Sequence, residues 1–426
     1  MNNKIIIGVA LLVIAIGVNQ HIHYDLKLKG SNSFNYGERI KSSDLFQKEK
    51  GDTYTFEPEF VDTSKTGKTE VKNSNITPNS TKKPPTPETP IPKKPKLIHH
   101  GWGFPTATYV AQNIRSMEKM PVDGLAVRID NDYSRYVMSD QPVSYETFKA
   151  NLQPLIGLNS STLKYNFVIV HSTPVGDIYD DNKWNVTINN FANLAKAAKE
   201  TGLQGIFFDN EEYFGATMMY PDNCANHTVK ECQEQARVRG KQIMEAIINE
   251  WSNVELIALH GTYLSEDKTA DYLDSVGIPY NNVAWANELK SSFVIGMVEA
   301  VVGTNALLID GGEIYQARTL KNFQDIKYWQ KEGMAKESDL IPTALKPYWS
   351  ENVSSSFGIY DQPLPGLGIE MNVNDWESTI TNAMQVADDY VWLYSEKYDW
   401  WNIGHPSTPI PQDWIDATIR AKNNAP

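Results

Sequence analysis

Along residues 97–426, short apolar runs alternate with stretches whose apolar residues recur every three or four positions. The runs at 97–102, 124–129, 166–172, 203–209, 255–261, 306–310, 356–361 and 390–396 have strand length and are rich in β-branched and aromatic residues. Helical spacing marks 108–120 through Val110, Ile114 and Met117, and 231–251 through Ile243, Ile247 and Ile248. The Ala-rich segment 191–200 and the segments 287–301, 320–331 and 376–388 follow the same pattern. Eight strands alternating with helices over about 330 residues predict one α/β domain, a (β/α)8 TIM barrel, over 97–426. The competing arrangement is an open doubly wound sheet. No Gly-rich phosphate loop follows the first run, which argues against a nucleotide-binding version of it.

The N-terminal pattern is different. Residues 5–18 form an unbroken apolar run of 14 behind Lys4. That is short for a full membrane span of ~20 residues and suits the core of a signal peptide. Residues 1–24 are therefore expected to be a signal peptide or an uncleaved N-terminal membrane anchor. Either places the rest of the chain outside the cytoplasm: secreted, periplasmic or anchored. Residues 25–96 lack periodicity, are rich in Lys, Ser, Thr, Asn and Pro, and end in a Pro-rich tract. Such a low-complexity segment reads as a linker, a disordered stalk ahead of the barrel.

Charge sharpens this division. The net charge is −13, yet residues 1–96 hold 15 basic and 10 acidic side chains, so the barrel segment alone carries −18. A body that acidic repels polyanions, and no nucleic-acid partner is expected. Contact with membrane is expected only through the N-terminal segment, if uncleaved. Aromatic residues make up 11%, with 11 Trp and 21 Tyr, a surplus that fits either a surface that stacks flat rings or a large core. The only cysteines, Cys224 and Cys232, flank a polar loop and can close a small disulfide in an oxidising compartment.

In a barrel the carboxyl ends of all strands face one site. Read that way, polar residues gather at the ends of the predicted strands. They are His99, His100 and Trp102; Arg128 and Asp130; His171; Asp209 and Glu211; His260; Asp310 and Glu313; Asp361; and Tyr394 and Glu396, with Trp400 and Trp401 just beyond. Adjacent His99 and His100 point to opposite sides of a strand and cannot share one ion. His171, His260 and Asp310 remain a conceivable metal set, but neither a metal nor another cofactor is expected. Two carboxylates facing an aromatic-lined cleft suit glycoside hydrolysis better. Glu211 and Asp209 supply one side, with Glu313, Asp310 or Glu396 as partner. His100, Trp102, Arg128, Asp130, His171, His260, Tyr394, Trp400 and Trp401 are the expected substrate-binding residues.

The stretch Gln204-Gly205-Ile206-Phe207-Phe208-Asp209-Asn210-Glu211 is similar to the strand-four signature of glycoside hydrolase family 18, Asp-Gly-x-Asp-x-Asp-x-Glu. The Gly, the last Asp and the Glu match; Gln204 and Phe207 replace the first two acids. The resemblance implies Glu211 as general acid and Asp209 as its helper. Asn210-Glu211 also resembles the Asn-Glu acid/base pair of the large retaining glycosidase clan, whose nucleophile Glu ends strand seven. Here that position falls on Asp361. The expected function is hydrolysis of a cell-envelope or extracellular polysaccharide or oligosaccharide. The alternative is a non-catalytic carbohydrate-binding surface protein on the same scaffold. Within the enzyme reading, Phe207 and Asp209 raise the Glu211 pKa, and Glu313, lifted over the mouth by Gly311-Gly312, is the first choice of partner.

Overall fold

A computed structural model describes residues 94–264, 267–280, 288–362 and 370–425. The proposed signal peptide or anchor and nearly all of the stalk lie outside the described residues. Among the described residues no helix is long and apolar enough to cross a membrane.

Every strand pairing among the described residues is parallel. The strands are β1 (Lys96–Gly101), β2 (Gly124–Val127), β3 (Phe167–His171), β4 (Gly205–Asp209), β5 (Glu255–Ala258), β6 (Leu307–Asp310), β7 (Val353–Ser355), β8 (Phe357–Tyr360) and β9 (Tyr390–Ser395). Their order is β7-β6-β5-β4-β3-β2-β1-β9-β8. The first and last strands pair over six residues, from Lys96 opposite Tyr390 to Gly101 opposite Ser395. β7 and β8 are the two halves of the predicted seventh strand, bent at Ser356: β7 pairs with β6 and β8 with β9. The ladder carries across the bend, because Ser356 N–H donates to Asp310 O and Gly358 N–H to Gly312 O. The nine segments thus form the eight-stranded TIM barrel expected from the periodicity.

Helices α1 (Ala107–Met117), α2 (Tyr145–Leu152), α3 (Asp181–Glu200), α4 (Val229–Glu250), α5 (Asp267–Ser275), α6 (Lys290–Val301), α7 (Leu320–Tyr328), α8 (Val373–Val386) and α9 (Gln412–Asn424) surround it. Their starts are capped as the local sequence dictates: Thr106 accepts from Tyr109 N–H, and Thr228 with Glu231 forms a reciprocal box at α4. α3 begins ten residues before the predicted 191–200, because Asp180 caps a polar, Asn-rich first half that carries little apolar signal. Helices α2, α5 and α9 have no counterpart in the spacing.

Alternation along the strands produces two cores. Leu97, Val127, Val168, Ile206, Phe208, Leu256 and Leu393 point outward, with the helices. Ile98, Ala126, Phe167, Ile169, Phe207, Ile257, Ile309 and Trp392 fill the barrel. Gly205 opens β4 where a Cβ would lie 1.8 Å from Glu255 O, so only glycine lets β4 and β5 run this close.

Candidate active site

The end of β4 is tied to the end of β5 by a reciprocal pair of bonds. Asn210 Nδ2 donates to His260 O and His260 N–H to Asn210 Oδ1, both at 2.9 Å. This clasp sets Glu211 beside His260, with Glu211 Oε1 3.6 Å from His260 Nε2. Past β6 the chain turns at Gly312, whose φ is +59° and whose Cβ would sit 2.0 Å from Ser356 O. That turn presents Glu313, whose Oε2 lies 2.9 Å from His260 Nδ1. Glu211, His260 and Glu313 each offer an atom within 4.8 Å of the others. The Tyr213 hydroxyl donates to Glu211 Oε2.

The charges around this triad are unequal. Burial, then the Glu313 charge, then Asp209, push the Glu211 carboxyl up to about 8. Burial works against a charged His260, but the Glu313 charge and the bonds to both glutamates outweigh it and lift the imidazole to about 10. Both shifts favour a protonated Glu211 beside an imidazolium. Behind it Lys290 pairs with Glu288 at 3.1 Å, both buried.

A second polar cluster lies inside the barrel. His171 Nδ1 is 3.2 Å from Asp209 Oδ2, and Asp209 Oδ1 accepts Glu211 N–H at 3.2 Å. Burial opposes the Asp209 charge; the bond and charge of His171 overcome it and hold the carboxyl below its ordinary value. His100 stacks on Phe207 with ring centroids 4.4 Å apart. Tyr394 lies 5.5 Å from His100 and 5.3 Å from Tyr360, continuing a ring-lined wall. Trp102, 42% exposed, stacks on His405 at the mouth.

Several expected site residues are placed elsewhere. Asp310 faces the helices, and its carboxylate accepts from Thr262 N–H, the Thr262 hydroxyl, Gly312 N–H and Gln330 Nε2. Four donors make it a structural anchor rather than a second catalytic acid; with it falls the His171, His260 and Asp310 metal set. Asp130 accepts from Thr108 N–H and hydroxyl at the start of α1, so it caps that helix instead of facing substrate. No ion pair joins it to Arg128 among the described residues. Trp400 and Trp401, each 4% exposed, belong to the outer core. Trp401 Nε1 donates to His99 Nδ1 at 2.9 Å, while His99 Nε2 bonds Ser395 Oγ at 2.8 Å. Neither tryptophan stacks at the mouth, because the odd-numbered His99 points outward and they pack upon it. Glu396 takes a bond from the Tyr360 hydroxyl, on the far strands from Glu211. Asp361 clasps the backbone N–H groups of Glu396, Lys397 and Tyr398. Phe207, expected to dress Glu211, spends its ring face on His100.

Residues not anticipated include Tyr213, two positions past Glu211, and Lys290, the cation that opens a largely apolar helix. Cys224 and Cys232 are bonded, pinning the loop that leads from Glu211 to α4. A surface groove of about 380 Å³ lined by Tyr179, Thr228, Glu231, Gln235 and Val238 holds none of the clustered acids.

No family model matches the chain, and no curated protein matches it. Among solved structures it is similar to a 3-keto-D-glucoside 4-epimerase from E. coli, at 12% identity over 78% of this chain and 100% of that one, with a TM-score of 0.36. It is also similar to an endocellulase from Pyrococcus horikoshii, at 12% identity over 78% and 93% of the two chains, TM-score 0.40. A GH18 chitinase from Pseudoalteromonas aurantia aligns at 11% identity over 76% and 99%, TM-score 0.36. These neighbours are sugar-processing enzymes of differing chemistry, and at such scores the side chains of this chain carry the assignment.

Proposed function

We propose that the chain is a glycoside hydrolase acting on a cell-envelope or extracellular polysaccharide, with Glu211 as general acid and Glu313 as the facing carboxylate. One observation carries the reading: two glutamates meet across His260 at the barrel mouth, and one is held protonated to about pH 8. A general acid must keep its proton at working pH, and its partner must stay ionised. His260, charged between them, positions both. One oxygen of each carboxylate lies within 4.8 Å of the other, close enough for the pair to act on one glycosidic bond. In a retaining course Glu313 is the nucleophile: its oxygen bonds the anomeric carbon as Glu211 protonates the leaving oxygen. Water, deprotonated by Glu211, then releases the sugar. Asp209, engaged by His171 and by Glu211 N–H, orients the β4 end. Trp102 offers a ring for the sugar chain at the rim. The disulfide supports work in an oxidising compartment outside the cytoplasm.

The test is a panel of bacterial polysaccharides. Reducing ends released by the wild type and lost in Glu211→Gln support the enzyme. Binding without turnover moves the chain to the alternative of a carbohydrate-binding surface protein. A second reading rests on the same triad: two carboxylates and an imidazole are a donor set for a divalent cation. Hydrolysis that survives exhaustive chelation and is not raised by added Mn²⁺ or Zn²⁺ removes that reading.

A further inference from the structure

We propose that Tyr213 is a positioning residue for the acid: its hydroxyl holds Glu211 Oε2 as an acceptor, so that the proton to be given away sits on Oε1 and the charge left behind meets a donor already in place. The proposal rests on the hydrolase reading, which the first stage of its experiment tests separately.

The Tyr213 hydroxyl donates to Glu211 Oε2, while His260 Nε2 stands 3.6 Å from Oε1. A carboxylic acid has one O–H and one carbonyl oxygen. A phenol that donates to Oε2 makes that atom the carbonyl oxygen and leaves Oε1 to carry the proton. Both groups open to the mouth: the Glu211 side chain keeps 12% of its surface exposed, and Tyr213 is half-buried.

Burial does not demand this bond. Two other tyrosines donate to carboxylates, Tyr360 to Glu396 and Tyr390 to Glu255. They are 8% and 1% exposed in the barrel wall, where a hydroxyl without a partner is costly. Tyr213 lies past the end of β4, where solvent can serve its hydroxyl.

The loop is built to aim it. Glu212 Oε1 accepts from Met218 N–H at 2.8 Å and from the Thr217 hydroxyl at 3.1 Å, drawing 212–218 into a closed turn. Gly215 makes that turn at a φ of +120°, where a Cβ would also lie 3.1 Å from the Pro174 ring. Asn223 ties the far side: its Oδ1 accepts Met219 N–H, and its Nδ2 donates to Ala216 O and Gly176 O. The disulfide pins the next residue, Cys224. On the outside Phe214 lies 6.4 Å from the Tyr213 ring and is itself covered by the Arg135 guanidinium at 4.6 Å. Tyr213 is thus presented by a braced segment.

In the first step the Oε1 proton passes to the glycosidic oxygen, the bond from that oxygen to the anomeric carbon breaks, and a Glu313 oxygen takes up the carbon. The leaving sugar departs as an alcohol, and Glu211 becomes a carboxylate. A hydroxyl bonds a carboxylate roughly twice as strongly as a neutral acid. Tyr213 therefore binds the transition state better than the ground state. The benefit depends on the leaving group, because one that departs as a stable anion takes little of the proton.

The experiment uses the full chain as wild type, Tyr213→Phe, Glu211→Gln and the double variant. The panel of bacterial polysaccharides first identifies one that the wild type cleaves. The phenyl and 2,4-dinitrophenyl glycosides of its disaccharide unit then compare a poor and a good leaving group. In Tyr213→Phe, kcat/KM should fall about tenfold on the phenyl glycoside and less than about twofold on the dinitrophenyl glycoside, with Tm unchanged. On the phenyl glycoside the double variant should be no slower than Glu211→Gln alone, since Tyr213 acts through Glu211. An equal loss on both glycosides, a further loss in the double variant, or a Tm several degrees lower would overturn the proposal, each marking a structural role. Cleavage by the wild type with Tyr213→Phe unchanged on the phenyl glycoside would overturn it alone and leave the hydrolase reading standing. Cleavage of no polysaccharide would overturn both.

Discussion

Protonation of Glu211 is where the catalytic assignment can be broken. The shift from 4.5 to about 8 is a preference for the protonated form of about 5 kcal/mol, at about 1.36 kcal/mol per unit. At pH 6 a carboxyl titrating at that value is about 99% protonated, against about 3% at the ordinary value, so the site raises the supply of acid about thirtyfold. Hydrolysis should therefore hold a plateau below neutrality and fall as pH rises through about 8. Glu313→Gln removes the second-largest cause of the rise, so the alkaline limb should move to lower pH. The same change removes the facing carboxylate and should lower kcat by about 10²–10⁴. Initial rates of reducing-end release from acid to alkaline pH, for both proteins, measure each effect. A wild-type limb in the ordinary carboxylate range would refute the burial argument, and an unshifted limb in Glu313→Gln would refute the coupling. Stability carries the same sign. Between 4.5 and about 8 the folded chain keeps a proton that the unfolded chain has lost, so this group's contribution is fully present below 4.5 and disappears as pH rises through about 8.

Other outcomes test the placement of individual side chains. Asp310→Ala strands four buried donors, and should cost about 2–5 kcal/mol in denaturant unfolding; an unchanged midpoint would make Asp310 a free acid again. Trp401→Phe loses one buried bond to His99, worth about 1 kcal/mol, and should leave KM unchanged, whereas a large rise in KM would put Trp401 at the mouth after all. Trp102→Ala should weaken oligosaccharide binding about two- to tenfold through the lost stacking face, read by calorimetric titration. Changing Cys224 and Cys232 together to Ser opens an eight-residue separation and should lower stability by about 2–3 kcal/mol.

What could be read from the sequence was whatever strand periodicity controls. Alternation and run length are local, so eight strands, their closure into a barrel and the inward face of β4 followed from the pattern. Glu211, His260 and Glu313 were reachable because each sits just past a strand end, where the fold fixes position. Side-chain direction beyond the strand was not reachable. Asp310 and Glu313 are three residues apart on the same strand end, yet the Gly312 turn sends one to the helices and the other to His260. No spacing rule separates them; the partners that decide it, Gln330 and His260, come from other elements. The tryptophans failed for a related reason. An aromatic pair after the last strand reads equally as a platform or as core, and it is the outward turn of His99, set by β1 register, that draws Trp401 inward. The same parity sends His100 into the lumen with no partner waiting. Neighbouring histidines that are chemically alike thus take opposite places, one bonded to Ser395 and Trp401 on the helix side and one packed against the ring of Phe207 inside the barrel.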